Sequence, residues 1–369
     1  MPTNRTICMK VLIISFFEET YTPYLVPYQR VLREMGVMYD MACFYRDGFG
    51  EFEEIDTVYG HKYIYHHATT ANRLTKLLPV LRFGIMMHSI LHKNNYDKLI
   101  VLTSVPAFML CGQLVRKYAN RYIFDYRDLT YERFRIFKKR IQNVVDHSYI
   151  SYFSSPGFFE IYPQTEKTKL SHNFDLADLQ PQLLPMPDPR GRPIVIGAVG
   201  YIRYYEVNCS MLRQLCDGKQ YRMRYIGTRF SDCDLPSFCK QEGIGNATFE
   251  GKFENSQKRE IYKDIDMINA VYPVYSHEVA PAIPNRLYDA ALYRRPILVG
   301  KGTYASHLAE EYGLGLTVDP EKENIAASIQ TYWEHWDPDT FAERCGEFLQ
   351  MVRRREMERR KEIIEFLRE

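Results

Sequence analysis

The sequence lacks the features of an exported or membrane-embedded protein. No apolar run in the 369 residues approaches the roughly 20 that are needed to cross a bilayer. The longest early run, Val11 to Phe17, is followed at once by Glu18 and Glu19. The first ten residues have neither the long apolar core nor the small-residue cleavage site of a secretory signal. We therefore interpret them as a short disordered lead and expect a cytoplasmic protein.

The sequence also lacks the usual marks of a metal site or a disulfide framework. None of its eight cysteines forms a CxxC pair, and scattered cysteines suit a reducing compartment. Asp232-Cys233-Asp234 has the spacing of a DxD metal motif, but it follows a predicted strand by several residues, and we interpret it as a surface turn. The cysteines therefore indicate neither a zinc site nor a disulfide framework, and no DxD motif stands at a predicted strand end.

Positive and negative residues nearly balance over the whole chain, but they are unevenly distributed along it. The net charge is +2, yet the segment from His61 to Val145 holds 15 Lys and Arg against 4 Asp and Glu. One interpretation is a solvated basic face, and the other is a surface that meets an anionic partner. The charge count leaves both open.

Buried-looking strands alternate with helices through the first half. Strands are predicted at KVLIISFF (10–17), DKLIVLTS (97–104), RYIFDY (121–126) and SYISYFSS (148–155), and helices at 22–36, at 72–93 with an interruption at Pro79, and at 105–120. Continuous apolar strands separated by helices predict a parallel sheet with helices on both faces.

A proline-rich break separates this half from a second one. Residues 181–193, PQLLPMPDPRGRP, hold five prolines and have linker composition. The alternation of strands and helices restarts at 194 and continues to 335, and residues 336–369 read as helical. The sequence therefore predicts an α/β protein with two doubly wound, Rossmann-like domains, 1–180 and 194–335, that face each other across a cleft.

Two segments place polar groups at predicted strand or helix ends. Asp125-Tyr126-Arg127-Asp128 ends a strand, where parallel sheets bind ligands, although an Asp–Arg pair bracing the loop is the alternative. In AIPNRLYDAALYRRPILVG (282–300), a helix starting near Pro284 offers backbone N–H groups and Arg286 to an anion. Asp289, one turn later, can accept the hydroxyls of a ribose. An anion site beside a diol site suits a nucleoside diphosphate.

The segment 282–300 resembles the PNKLYEYLAxGKPVI pattern of GT-B glycosyltransferases of the group 1, family-four-like type. IVIGAVGYI is similar to the first strand and Gly turn of their donor domain, and ATFEGKFENSQKREIYKDIDMINAVYPV to their V-x-F-x-G … L-x-x-x-Y-x-x-A-D stretch. FDYRDLTYE resembles their DxRDLW segment, and SHNFD their xxNGxD. These similarities follow one another in the correct order over about three hundred residues.

The resemblance implies a GT-B fold with an acceptor-binding domain (1–180), a donor-binding domain (194–335) and C-terminal helices (336–369) that partly pack on the first domain. It implies that Asp289 stands in place of the Glu that binds the nucleotide ribose. The resemblance also implies no bound metal or cofactor, with a nucleotide-diphosphate sugar as co-substrate. The donor-site positions that it implies, besides Asp289, are Gly200, Arg203, Gly227, Asn285 and Arg286.

The sequence departs from the family in three places. Pro281 stands where E-x7-E has its first Glu, with Glu278 three residues earlier. No Lys follows Arg203 in YYEVN, and Glu18-Glu19-Thr20 replaces the usual Gly-Gly after the first strand.

An inverting transferase needs a general base beside the acceptor hydroxyl, whereas a retaining one can use the leaving phosphate. Asp128 and Asp125 are the candidate bases, and Glu18 and Glu19 are the runners-up. Arg127 is expected on the acceptor side. His172, in SHNFD, is a weaker candidate, because a lone His beside a linker is usually structural.

The basic segment bears on the acceptor. Its basic residues stand among aromatic and aliphatic ones, which suits an anionic membrane and also RNA; they include Arg73, Lys76, Arg82, Lys93, Arg133, Arg135, Lys138, Lys139 and Arg140. The resemblance favours the membrane, because many members extend sugars on a polyprenyl diphosphate. We therefore expect a peripheral protein on the inner membrane face that binds no nucleic acid.

The expected function is transfer of a sugar from a nucleotide-diphosphate sugar to a glycan or lipid-linked saccharide in cell-surface polysaccharide biosynthesis. The alternatives are a sugar-nucleotide epimerase of the same fold and a non-catalytic partner in glycan assembly. Donor base, sugar, acceptor, linkage and oligomeric state stay open at this point.

Overall fold

A computed structural model describes residues 9–68, 77–173 and 184–369. The chain divides into two compact units: unit 1 is Met1–Asp178 together with Arg354–Glu369, and unit 2 is Leu179–Arg353. The predicted disordered lead up to residue 8, the basic residues Arg73 and Lys76, and the first linker residues, 181–183, lie outside the described residues. No helix in the described ranges is both long enough and apolar enough to cross a membrane.

Unit 1 is built on an eight-stranded sheet in the order β3-β4-β2-β1-β5-β6-β7-β8. The strands are β1 Lys10–Ser15, β2 Met38–Tyr45, β3 Phe49–Thr57, β4 Gly60–His67, β5 Lys98–Leu102, β6 Tyr122–Tyr126, β7 Ile150–Phe153 and β8 Thr168–Leu170. All neighbours are parallel except β3 and β4. The predicted parallel sheet is confirmed, with one antiparallel pair added at this edge. Only two residues, Val58 and Tyr59, join β3 to β4, and so short a link permits only an antiparallel pair.

The described residues of unit 1 form four α-helices before the C-terminal one: α1 Val26–Glu34, α2 Leu77–Lys93, α3 Ser104–Arg116 and α4 Arg135–His147. Connections through α2, α3 and α4 all advance in the same direction across the sheet, so right-handed crossovers place these three helices on one face. The connection through α1 runs in the opposite direction and places that helix on the other face. Pro79 lies within the described helix and does not interrupt it.

Unit 2 contains a six-stranded parallel sheet in the order β11-β10-β9-β12-β13-β14. Its strands are β9 Ile194–Val199, β10 Tyr221–Ile226, β11 Ala247–Glu250, β12 Met267–Ala270, β13 Ile297–Gly300 and β14 Gly315–Val318. Its helices are α5 Tyr205–Gln214, α6 Leu235–Glu242, α7 Lys258–Lys263, α8 Asn285–Tyr293, α9 Tyr304–Glu311 and α10 Ile325–Glu334.

The last helix, α11 (Pro338–Arg368), begins in unit 2 and ends in unit 1. Its final turns bury Ile363, Phe366 and Leu367 in the same core cluster as Tyr28 and Leu32 of α1. The C-terminal residues are therefore part of the core of unit 1.

Candidate functional site

The sheet of unit 2 changes its direction of winding between β9 and β12. From β9 the chain moves outward through β10 and β11, then returns to β12 beside β9 and moves outward on the other side through β13 and β14. Open parallel sheets bind ligands at such a switch point, outside the carboxyl ends of the strands. The turn after β9 and the start of α8, which follows β12, both lie at this edge.

The glycines predicted for the donor side form closely packed turns at the same edge. Gly200 follows β9 with φ +107, and Gly227 follows β10 with φ +130. A Cβ at position 227 would lie 2.1 Å from the carbonyl oxygen of Gly200, so only glycine fits there. An added Cβ at Gly200 would meet nothing within 4 Å, which leaves open space beside this turn.

Arg286 holds the switch point together. Its side chain is buried, and it donates to the carbonyl of Val199 at 2.7 Å and to those of Asn269 and Tyr201 at 2.9 Å each. Most of its hydrogen-bonding capacity is therefore used on the ends of β9 and β12. Arg286 thus holds these strand ends together, and its role beside a diphosphate stays a prediction.

Helix α8 starts at Asn285, next to Pro284, where the sequence predicted a helix start. Asn285 is the exposed first residue of this helix, and Pro284 before it makes no side-chain cap. The first backbone N–H groups of a helix have no intrahelical acceptor and attract anions. Glu278, the suggested substitute for the Glu missing at Pro281, is exposed in the loop between β12 and α8.

Asp289 is buried one turn into α8 and lies in a small polar cluster. Lys258 Nζ lies 3.0 Å from each of its carboxylate oxygens, and the Tyr262 hydroxyl donates to Oδ2 at 2.8 Å. Both partners belong to α7. Lys258 was not predicted as a site residue, although the sequence carries a signal: it occupies the Leu position of the family's L-x-x-x-Y stretch.

Arg203 is exposed in the turn between β9 and α5. Its guanidinium lies 4.5 Å from the ring centroid of Phe230 and 5.6 Å from that of Tyr201. Both rings are themselves exposed. The segments that follow β9 and β10 thus present a cationic and aromatic surface beside Gly200.

In unit 1, Asp125 forms a buried ionic cluster instead of an open site. The Arg127 Nε atom lies 2.5 Å from Asp125 Oδ1, while Arg127 Nη2 and the Tyr28 hydroxyl each donate to Oδ2 at 2.6 Å. Arg359, from α11, lies 3.3 Å from Oδ2. Asp125 has 0% of its surface exposed, so its geometry does not support a role as general base. The structural alternative describes this Asp–Arg pair better.

Arg127 is buried with Asp125 and is not presented to an acceptor. Besides the aspartate, it donates to the Ser171 hydroxyl at 3.0 Å, and its guanidinium lies over the Tyr24 ring. Asp128, by contrast, is exposed directly after β6. Of the two candidate aspartates, only Asp128 is accessible to a substrate hydroxyl.

Glu19 is held by two side chains of the sheet. Lys62 Nζ lies 2.5 Å from its Oε2, and the Tyr45 hydroxyl donates to the same atom at 2.8 Å. Burial would raise the pKa of Glu19, but these hydrogen bonds outweigh it and lower the pKa. A carboxylate held in this way is a weaker base than an exposed one. Glu18 is half-buried beside it.

Thr103 was missed by sequence reasoning. It follows β5, which lies beside β1 at the switch point of unit 1, and its backbone has φ +72 and ψ 164. This region of backbone space is nearly restricted to glycine, and such strain concentrates at functional positions. Its hydroxyl is buried without a hydrogen-bond partner among the described residues. A threonine at a strand end gives no sequence signal for this.

His172 is buried beside the same ionic cluster. Burial, together with the charges of Arg355, Arg127 and Arg359, lowers the pKa of His172 to about 3. The imidazole is therefore neutral at physiological pH. This environment agrees with the structural role expected for it.

The described residues contain no group of three or more His, Cys, Asp and Glu side chains arranged to hold a metal ion. Asp234 of the DxD-like triplet caps α6, where its carboxylate accepts from the Ser237 N–H at 3.3 Å. The triplet is thus a turn that leads into a helix.

Comparison with known proteins gives likeness in structure only. No protein-family model matches the chain, and no curated protein matches its sequence. Sucrose-phosphate synthase from Thermosynechococcus elongatus is 13% identical with a TM-score of 0.69, over 93% of this chain and 94% of that one. Anabaena HepE, in complex with UDP and glucose, is 14% identical with a TM-score of 0.63, over 97% and 99%.

WaaG, a glycosyltransferase involved in lipopolysaccharide biosynthesis, is 10% identical with a TM-score of 0.60, over 96% of this chain and 99% of that one. At such identities the likeness concerns the fold, and it extends over nearly the whole length of each protein. It confirms the fold that the sequence predicted. The chain therefore has the GT-B fold of the glycosyltransferases that its sequence resembles.

Proposed function

We propose that the protein is a glycosyltransferase that moves a sugar from a nucleoside-diphosphate sugar to a saccharide acceptor. The observation that carries the proposal is the switch point of unit 2, where the Gly200 and Gly227 turns, the start of α8 and the Asp289 carboxylate lie at one sheet edge. HepE, which shares the fold, binds UDP and UDP-glucose.

In the donor half, Asp289 accepts a hydrogen bond from a ribose hydroxyl, and the first N–H groups of α8, with Asn285, bind the diphosphate. Gly200 and Gly227 let the phosphates approach the backbone closely. The exposed guanidinium of Arg203 adds positive charge to the same edge. Arg286 keeps these elements in register through its three carbonyl contacts.

In the reaction, an acceptor hydroxyl oxygen bonds to the anomeric carbon as the bond from that carbon to the diphosphate breaks. The nucleoside diphosphate leaves with the electron pair, and the positive end of α8 stabilises the developing charge. In the inverting course, Asp128 takes the proton of the acceptor hydroxyl; in the retaining course, the leaving phosphate takes it.

A thermal-shift panel of UDP, GDP, dTDP, ADP and CMP with their common sugars tests the donor half. A ligand at 100 times its Kd adds about 2.7 kcal/mol to stability, so one nucleotide should raise the melting temperature clearly. Asp289→Ala should abolish that shift, while Asp264→Ala, which changes an exposed carboxylate at the end of α7, should keep it. No shift with any nucleotide would contradict the proposal and favour a non-catalytic partner.

Product analysis separates the two enzyme classes. Incubation with the nucleotide sugar that stabilises the protein should release nucleoside diphosphate only when a saccharide acceptor is supplied. Conversion of that sugar nucleotide to an epimer without any acceptor would favour the epimerase alternative.

We also propose that the acceptor is lipid-linked and is reached on an anionic membrane surface, in cell-surface polysaccharide biosynthesis. Along α2, four aliphatic side chains are between 49% and 68% exposed: Leu77, Leu78, Leu81 and Ile85. The start of α4 exposes Phe134 and Ile136, surrounded by exposed basic residues, which are Arg133, Arg135, Lys138 and Lys139.

The two apolar groups lie in one helical layer, since Phe108 of α3 stacks on Phe137 of α4, and Met109 of α3 lies against Gly84 of α2. Exposed aliphatic and aromatic side chains among cations suit the boundary of an anionic bilayer. Arg82 and Lys93, also on α2, extend the exposed positive charge.

Co-sedimentation with vesicles tests this surface. Binding should require anionic lipid and should fall when Leu81 and Ile85 are both changed to Gln. Val58→Ser, which removes an exposed apolar side chain from the β3–β4 turn, is the matched control. Equal sedimentation with neutral and anionic vesicles would contradict the proposal.

A further inference from the structure

Lys258 and Asp289 form an ion pair at the ligand-binding edge of unit 2. Lys258 is the first residue of α7, which follows the loop after β11, and Asp289 lies on the next helix, α8. The lysine side chain is 22% exposed, whereas the aspartate side chain is 5% exposed. The ammonium therefore lies between the buried carboxylate and solvent.

The hydrogen bonds around Asp289 leave little room for a second hydroxyl. A carboxylate has roughly four lone-pair sites. Lys258 occupies one on each oxygen, and the Tyr262 hydroxyl occupies another on Oδ2. One site remains, on Oδ1. Asp289 can thus accept from one ribose hydroxyl but not from both while the cluster is intact.

Lys258 offers the complementary group. An ammonium carries three N–H donors, and Asp289, whose two oxygens each lie 3.0 Å from Nζ, takes at most two of them. Within the ranges that the structure describes, no other acceptor is within hydrogen-bond distance of Nζ. The remaining donor can reach a hydroxyl oxygen that lies beside the carboxylate.

We propose that Lys258 is a donor-recognition residue that acts with Asp289 on the ribose diol, with the carboxylate accepting from one hydroxyl and the ammonium donating to the oxygen of the other. This inference rests on the proposed function. Each ribose hydroxyl then forms its hydrogen bond with a different residue, and the two residues lie on different helices. Each hydroxyl therefore contributes to nucleotide affinity independently.

Calorimetric binding to the intact protein tests the pair, with UDP, 2′-deoxy-UDP and 3′-deoxy-UDP if UDP is the nucleotide that stabilises it, and otherwise with the same three forms of the nucleotide that does. In the unchanged protein, loss of either hydroxyl should weaken binding about tenfold, as expected for a hydrogen bond to a charged group. Lys258→Met should weaken UDP binding about tenfold and leave one of the two deoxynucleotides bound as tightly as UDP. Lys258→Arg should restore part of the discrimination, because a guanidinium also donates.

Lys263→Met is the matched control, since Lys263 lies on the same short helix and is exposed; it should change no affinity. If the Lys258→Met variant does not fold, the deoxynucleotides still test the inference on the unchanged protein. If removal of one ribose hydroxyl has no effect on affinity there, the inference is overturned. Equal weakening of all three nucleotides by Lys258→Met would overturn it too, and would leave the proposed function standing. If no nucleoside diphosphate binds the unchanged protein, the proposed function and this inference both fail.

Discussion

Removal of the His172 side chain should make the protein more resistant to acid. The folded-state pKa of His172 is about 3, whereas the ordinary value is 6.5. Between these values the unfolded chain binds a proton that the folded chain does not, so stability falls as pH falls from 6.5 toward 3. From pH 7 to pH 5 this single group should remove about 2 kcal/mol from the free energy of unfolding.

Urea unfolding at pH 7 and pH 5, followed by far-UV circular dichroism, measures this loss. His172→Gln should lose about 2 kcal/mol less than the unchanged protein between the two pH values, whatever its stability at pH 7. His92→Gln, at an exposed position of α2, should behave like the unchanged protein.

Tryptophan fluorescence adds a second control, because both tryptophans, Trp333 and Trp336, lie in unit 2. Where the two units unfold in separate transitions, the effect should be seen in that of unit 1, to which His172 belongs, and not in the tryptophan signal. If His172→Gln and the unchanged protein lose the same stability in acid, the imidazole already carries a proton in the folded state. The argument from burial and the three arginines would then be refuted.

The remaining predictions concern the strand ends of unit 1. Asp125→Asn should cost about 3 kcal/mol of unfolding free energy in urea, because it leaves Arg127 and Arg359 buried with one carboxylate fewer; a loss below about 0.5 kcal/mol would show that the cluster does not need this charge. Asp128→Asn should leave stability and donor affinity unchanged and lower turnover, and an equal fall in donor affinity would contradict its placement on the acceptor side. Thr103→Gly should raise stability by about 1 kcal/mol in thermal unfolding, because glycine tolerates φ +72, and a loss would argue against backbone strain.

Features that depend on local sequence were predicted well. The alternation of apolar strands and helices identified the two sheets, and the order of short motifs identified the fold. Gly200 and Gly227 were placed correctly at strand ends, because a glycine after an apolar strand marks a turn irrespective of the rest of the chain.

The β3–β4 hairpin was not predicted, because of where it lies. The segment FGEFEEIDT is an exposed edge strand, so it shows neither a continuous apolar run nor a buried face. Acidic side chains at such an edge discourage pairing with other chains and at the same time remove the pattern by which strands are recognised.

The environment of the charged site residues could not be read from their neighbours in sequence. In the sequence, Asp125 has the pattern of a catalytic carboxylate. In the fold, Arg359, which is 234 residues away in sequence, lies beside it. Arg286 was assigned to a phosphate because its backbone acceptors on β9 and β12 become close only when the sheet forms. Long-range partners decide whether a charge is presented to a ligand or used to hold the fold.

The path of α11 affects the order in which the two units can fold during synthesis. Unit 2 is one continuous segment, whereas unit 1 needs residues 354–369, which are synthesised after unit 2. On the ribosome, the second unit to be translated can therefore fold first, while the first must wait with Tyr28 and Leu32 uncovered and Asp125 without Arg359. Chaperones that protect exposed apolar surface during translation would consequently be needed longest by the segment that emerges first.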